Sequence, residues 1–268
     1  MIPTVKTNKR NNQQTENRMT KRVTLIGGTG LTGNGKTTFL DLLAILLNIS
    51  SCGGRIVRAE MSKIIARALK MHGPVGDEVR KFKPLMDAGG YLPDHIALPV
   101  FELWLNTTLG KHNQIEGVLA GGVPRTIVQK KKIKELFRSN VIIDIKIDPD
   151  HSLVSIMKRL EQAGSEVRAD DAGGIPVFQN RLAEFNNYTV PMLNSCNGEL
   201  IRLSREQQLE ERLEQTLVHI REMEQPVLPK NVVTKALNRL YSRNHQVHGE
   251  IRNVIDGKGI TPGLIAYV

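Results

Sequence analysis

An α/β fold, with a parallel five-stranded sheet covered by helices on both faces, is predicted by three observations. First, short apolar runs at residues 23–26, 55–60, 116–122, 141–148 and 199–204 alternate with helical patterns. These patterns lie roughly at 61–71, 76–88, 94–110, 126–138, 150–163, 176–195 and 205–223. Strands separated by helices of that length form βαβ units, and such units build a parallel sheet. Second, EGVLAGG (116–122) is apolar without alternation, as a strand buried on both faces must be. Third, the first run turns through a glycine-rich loop directly into an apolar helix.

That first unit, VTLIGGTGLTGNGKTTFLDLLAILLN (23–48), contains GLTGNGKT at 30–37, which fits G-x-x-x-x-G-K-[ST]. Gly30, Gly33 and Gly35 let the backbone curl so that successive N–H groups converge on an anion. The positive end of the following helix adds to the field. Lys36 can reach the β and γ phosphates, the Thr37 hydroxyl can ligate Mg²⁺, and Thr38 continues the ATP-binding turn. The context of strand, loop and helix makes this a phosphate-binding loop, and the fold P-loop NTPase-like; ligands then bind beyond the carboxyl ends of the strands.

Around this core, residues 1–21 are rich in Asn, Gln, Thr and Lys without apolar periodicity and read as a disordered tail. They lack a secretory signal, and the absence of serine argues against a transit peptide. Met19, just before the first strand, is an alternative start. Residues 225–268 open on Pro226 and Pro229, after which Val232, Val233, Ala236, Leu237 and Leu240 fall at helical spacing. This C-terminal extension reads either as helices packed on the domain or as a basic appendage for an acidic or RNA partner. Its only aromatic residues are Tyr241 and Tyr267, which disfavours base stacking.

The net charge of +10 resides in the tails. Residues 1–22 carry six Lys/Arg and one Glu, and residues 226–268 carry six Lys/Arg and two acids, while the span between is almost neutral. That distribution argues against a broad nucleic-acid face on the main domain. An apolar fraction of 40% over 268 residues suits one large domain with appendages, or two small ones. No apolar run approaches the ~20 residues of a membrane span. Cys52 and Cys196 suggest neither a zinc site nor a disulfide framework, so the expected setting is cytoplasmic.

Further motifs follow in order: MDAG at 86–89, GGVPRTIVQ at 121–129 after the third strand, and RADD at 168–171 followed by Arg181. With the phosphate loop, this order and spacing resemble the adenylate kinases, a branch of the nucleoside monophosphate kinases, over about residues 22–222. The resemblance implies a domain over 22–224, with a small helical monophosphate-binding insert at about 60–92 and a short lid at about 159–171. It implies transfer of the γ-phosphate of Mg·ATP to AMP or another nucleoside monophosphate, by a monomer that needs no membrane.

The roles carry over by position. Arg125 corresponds to the arginine that holds the α-phosphate of AMP, Gln129 to the glutamine that reads adenine, and Ser62 and Arg67 to the Thr–Arg pair of the same site. Arg159 corresponds to the arginine against the ATP adenine, and Arg168 and Arg181 to arginines around the transferred phosphate. Asp170 and Asp171 correspond to the acidic pair of lid closure. Independently of the resemblance, phosphoryl transfer needs two anionic substrates in line among fixed cations, and Lys36, Arg67, Arg125, Arg168 and Arg181 are such cations.

Two departures bear on catalysis. The family's strand-end Asp, which organises the water shell of Mg²⁺, is Gly121 here, and a lid arginine is Ala163. Such charged groups are typically worth ~2–4 kcal/mol each in the barrier. Thr37 and Lys158 offer compensating groups, which points to a kinase with a shifted metal site, and restoring an acid by Gly121→Asp is then expected to raise activity or Mg²⁺ affinity. The alternative is a non-catalytic adenine-nucleotide-binding protein that docks through its basic tails.

Overall fold

The computed structural model describes residues 23–51, 55–112, 114–163, 173–224, 227–241 and 266–267. Five strands form the body of a parallel sheet: β1 (Thr24–Thr29), β2 (Arg55–Glu60), β3 (Ile115–Gly121), β4 (Ser139–Lys146) and β5 (Leu200–Ser204). A two-residue β6 (Ala266–Tyr267) pairs with Val57 and Arg58 and makes a sixth strand, so the order is β5-β4-β1-β3-β2-β6. The sequence signals five strands; two residues are too few for a periodic pattern. β1 is buried throughout and lies at the centre, between β3 and β4.

Alternation along the strands sorts side chains between two cores. Ile26, Ile56, Leu119, Ile143 and Ile145 join one cluster with α1 (Lys36–Ser50). Leu25, Val57, Ala59, Val118 and Ala120 join the other, with α2 (Met61–Lys70) and α5 (Asp94–Lys111). Arg58 and Glu60 share the parity of Ile56, and Gly121 that of Leu119, so all three face the α1 side.

Helix α1 is apolar around most of its circumference, from Phe39 to Leu47, and therefore needs cover on both sides. The sheet gives one side. The other is given by α10 (Leu209–Glu222) and α11 (Lys230–Tyr241), whose Leu213, Leu217, Val233, Ala236 and Leu237 complete the same cluster. The apolar stripe beyond Pro229 is thus packed on the domain rather than displayed. α1 is also tied to β2: Asn48 Nδ2 donates to Ile56 O (2.9 Å) and Asn48 Oδ1 accepts from Ile56 N (2.8 Å). Asn48→Ala leaves both backbone groups without these partners and is expected to cost about 1–3 kcal/mol, read as a lower urea midpoint at unchanged slope.

Of the helices predicted as continuous, that over 76–88 is interrupted near a proline, while that over 176–195 runs on with a π-helical turn before its proline. Pro84 has no N–H for the carbonyl of Arg80, and the chain divides into α3 (Pro74–Lys81) and α4 (Lys83–Asp87). Pro191 likewise cannot donate to residue 187; α8 (Gly174–Glu184) gives way to a π-helical turn (Phe185–Thr189) before α9 (Val190–Asn194). The remaining helices are α6 (Ile127–Leu136) and α7 (Pro149–Ala163). β4 ends two residues earlier than its apolar pattern suggests, because Asp148 serves the start of α7: its carbonyl accepts from Ser152 N and its carboxylate from Asp150 N. No helix among the described residues is long and apolar enough to cross a membrane.

Candidate active site

At the carboxyl end of β1 the loop 30–35 turns back over α1. Gly30, Gly33 and Gly35 take φ of 123°, 84° and 78°, in the left-handed region that glycine adopts without strain. Space also demands glycine: a Cβ on Gly30 would lie 2.8 Å from Ile145 O. Asn34, almost wholly buried, pins the loop, since its Nδ2 donates to Ile145 O (2.8 Å) and its Oδ1 accepts from Lys36 N (3.0 Å). The Ser152 hydroxyl on α7 donates to Thr32 O. Gly35 is the N-cap of α1 and brings no side chain to that helix end. Lys36, Thr37 and Thr38 follow in the first turn, half-buried, half-buried and exposed.

Sequence reasoning missed two cations beside this loop. Arg205, just beyond β5, lies with its Nε 3.2 Å from where a Cβ on Gly35 would be. Arg212 on α10 is buried, 5.9 Å over the Phe39 ring, and its Nε and Nη1 have no hydrogen-bond partner among the described residues. Burial, then the charge of Arg205, pulls its pKa below the ordinary arginine value. Neither residue belongs to a local motif; strand β5 and the packing of α10 on α1 bring them to the loop.

Across the carboxyl edge of the sheet, β3 leads to Arg125. Its guanidinium stacks 4.6 Å from the centroid of the Tyr91 ring, a cation–π contact. Its backbone N donates to Gln129 Oε1 (2.8 Å), and Gln129 Nε2 donates to Asp94 Oδ1 (2.8 Å). Thr126, the N-cap of α6, donates to Asp94 Oδ2 (2.7 Å) and accepts from Gln129 N. Gln129 is therefore buried and engaged at both ends of its amide, so in this structure it orders the Arg125 turn. Asp94, which no motif flagged, is the acceptor that holds the turn together.

The same segment reaches α8. Tyr91 N donates to Glu184 Oε2 (3.0 Å), and Asn180 Nδ2 donates to Ala88 O (2.8 Å). A Cβ on Gly89 would sit 3.3 Å from Arg181 Cγ. Arg125 and Arg181 thus converge on residues 89–91. Arg67 is placed elsewhere: it is exposed and lines a groove of about 250 Å³ between α2 and α5, with Trp104, Thr107 and Lys111. Ser62 is exposed in the first turn of α2, and Arg159 is half-buried on α7. Arg168, Asp170 and Asp171 lie outside the described residues, as do the tail 1–21 and residues 242–265; of Ala163 only the backbone is described.

Gly121 ends β3 opposite Glu60, its register partner on β2. A Cβ at 121 would fall 2.1 Å from Glu60 Oε2 and 2.8 Å from Oε1. A side chain at 121 therefore requires the Glu60 carboxylate to move, and Gly121→Asp adds an acid where a carboxylate already lies. Glu60 Oε2 accepts from Arg58 Nη2 (3.1 Å), and Arg58, wholly buried, donates through Nε to Asp41 Oδ1 (2.7 Å) and through Nη1 to Leu119 O (2.7 Å). The other acid at the strand ends, Asp144 on β4, has the opposite parity to Ile143 and Ile145 and points away from α1. Burial pushes its carboxyl above the ordinary range, against the pull of Lys146, Arg202 and Lys36.

No protein-family profile matches the chain. Among curated proteins, it is 26% identical over 177 residues to an adenylate kinase of Phocaeicola vulgatus, covering 63% of this chain and 82% of that one. An adenylate kinase of Leptospira biflexa is 28% identical over 171 residues, or 62% of this chain and 81% of its own. One from Borrelia turicatae is 28% identical over 245 residues, 89% of this chain and 96% of its own. A solved gluconokinase from Sinorhizobium meliloti superposes with a TM-score of 0.45 at 15% identity, over 84% of this chain and 99% of that one, too loosely to bear on either fold or function.

Proposed function

We propose that this chain, a distant relative of the adenylate kinases among the P-loop kinases, transfers the γ-phosphate of Mg·ATP to a nucleoside monophosphate, AMP first among them. The observation that carries the reading is two groups of cations at the carboxyl edge of the sheet: Lys36 at the end of the glycine loop, and Arg125 with Arg181 around residues 89–91. A site for one nucleotide needs only the first. A direct transfer between two nucleotides needs both, facing each other.

In this reading the loop amides and Lys36 bind the β and γ phosphates of ATP, while Arg205 lies beside Gly35 at the flank of the loop. Arg125 holds the phosphate of the acceptor, and its planar fork favours paired oxygens. Arg181 spreads its charge over the group in flight. The segment at about 60–92 serves as the acceptor-binding insert, and the lid at about 159–171, with Arg168, Asp170 and Asp171, excludes water when it closes. A magnesium ion arriving with ATP would be held from this chain by the Thr37 hydroxyl and a strand-end carboxylate, and would supply charge to offset that developing on the phosphates. The oxygen donors available for it, the Thr37 hydroxyl and a strand-end carboxylate, suit its preference for hard ligands.

The test is ADP formation by the full chain over a panel of nucleoside monophosphates with ATP as donor. Turnover with AMP or another member of the panel is expected. Tight ATP binding without transfer to any of them would instead support a nucleotide-binding protein without catalysis. A subsidiary prediction concerns Asp94. Asp94→Ala removes the acceptor shared by Thr126 and Gln129, and is expected to lower kcat/KM for the monophosphate about tenfold while leaving KM for ATP nearly unchanged.

A further inference from the structure

We propose that Glu60 is the carboxylate of the phosphate site, supplied from β2 in place of an acid on β3, and that with the Thr37 hydroxyl it receives the divalent cation carried by the nucleotide. The inference deepens the kinase reading and rests on it.

Three observations converge. Strand register sets Glu60 against Gly121, and both share the face that looks toward α1. Position along α1 follows from Asp41. Asp41 lies four residues after Thr37, on the same helix face one turn on. The buried Arg58 bonds Asp41 through Nε and Glu60 through Nη2, so the Glu60 carboxylate is tied to the helix that carries Thr37. Finally, the lack of a side chain at 121 is what gives the carboxylate its room. Glu60 Oε1 lies 2.8 Å, and Oε2 2.1 Å, from the point where any other residue would place its Cβ. The glycine and the glutamate are two halves of one arrangement.

The chemistry suits a cation that arrives with its phosphates. Among the described residues no group of three His, Cys, Asp or Glu could hold a metal by itself. Mg²⁺ keeps waters and takes one or two protein oxygens besides those of the nucleotide. The Glu60 and Asp41 side chains are each 11% exposed whereas that of Arg58 is wholly buried, so both carboxylate ends of the ion-pair chain keep some access to solvent.

The test titrates Mn²⁺ into the full chain loaded with a non-hydrolysable ATP analogue, and measures analogue affinity separately in EDTA. Glu60→Gln keeps the shape and removes the charge; it is expected to weaken Mn²⁺ binding about 10- to 100-fold while analogue affinity in EDTA stays within about threefold. Gly121→Asp alone drives a Cβ into the Glu60 carboxylate and is expected to lower both Mn²⁺ affinity and thermal midpoint. The exchange Glu60→Ala with Gly121→Asp moves the acid from β2 to β3 and is expected to recover Mn²⁺ binding, which carries the test even if Glu60→Gln folds poorly. Unchanged Mn²⁺ affinity in folded Glu60→Gln, or no recovery in a folded exchange variant, overturns the assignment and leaves the kinase reading intact. Failure of the unaltered chain to bind the analogue even in EDTA overturns both.

Discussion

Lys36→Ala is expected to lower kcat/KM for phosphoryl transfer by about 10²- to 10³-fold or more, equivalent to roughly 3–4 kcal/mol of lost transition-state stabilisation. The loop geometry is the reason. Asn34 fixes the backbone N of Lys36 from one side and the carbonyl of Ile145 from the other, so the lysine leaves the loop from a fixed point at the head of α1. No other lysine occupies that turn. The backbone cradle survives the substitution, because the glycine conformations and Asn34 do not depend on the ammonium. Nucleotide binding should therefore weaken much less than turnover falls. The side chain is half-buried and outside both cores, so stability should change by no more than about 0.5 kcal/mol. Stopped turnover in a protein of unchanged melting temperature is the expected result; comparable losses of stability and activity would show that Lys36 is structural.

Arg58→Ala is expected to have the largest effect on stability, about 3–5 kcal/mol, and a fall in melting temperature of roughly 10 °C. Arg58 has no exposed side-chain surface and holds Asp41, Glu60 and the carbonyl of Leu119 together. Its removal leaves two carboxylates facing each other in a poorly solvated space, with a cavity between them. That penalty belongs to the broken pair, not to a large net gain from the intact one. Exchanging Asp41, Arg58 and Glu60 together for apolar residues should therefore recover much of the loss. It should not recover Mn²⁺ binding, if the chain of charges is kept for the site rather than for stability.

The legible and illegible parts of this protein divide by the range of the signal. The phosphate loop, five of the six strands among the described residues and the apolar face of α11 are written in consecutive residues, as spacing, alternation and glycine placement. The break near Pro84 was also written locally, but an apolar period running through a proline reads as one helix. Glu60 was invisible for a different reason. At the end of RIVRAE it is one more charged residue at a strand terminus. Its meaning comes from register with Gly121, sixty-one residues later, and from the helix that carries Asp41. Gly121 taken alone signalled a lost acid; with Glu60 beside it, the position is a cleared space. Gln129 shows the converse, since a local motif suggested an adenine reader and the fold engages its amide with Arg125 and Asp94. Arg205 and Arg212 reach the loop only because β5 and α10 close over α1.

Whether two nucleotide sites face each other across this edge is settled by titrating the full chain with one diadenosine polyphosphate long enough to occupy both, alongside ATP and AMP. Joined ligands bind as one when their sites lie within the linker's span, so the joined molecule should bind at least ~10²-fold more tightly than ATP. It should also displace ATP and AMP together, at one molecule per chain. An affinity no greater than that of ATP, with AMP still able to bind beside it, would contradict the two-site arrangement and leave a protein that holds a single nucleotide.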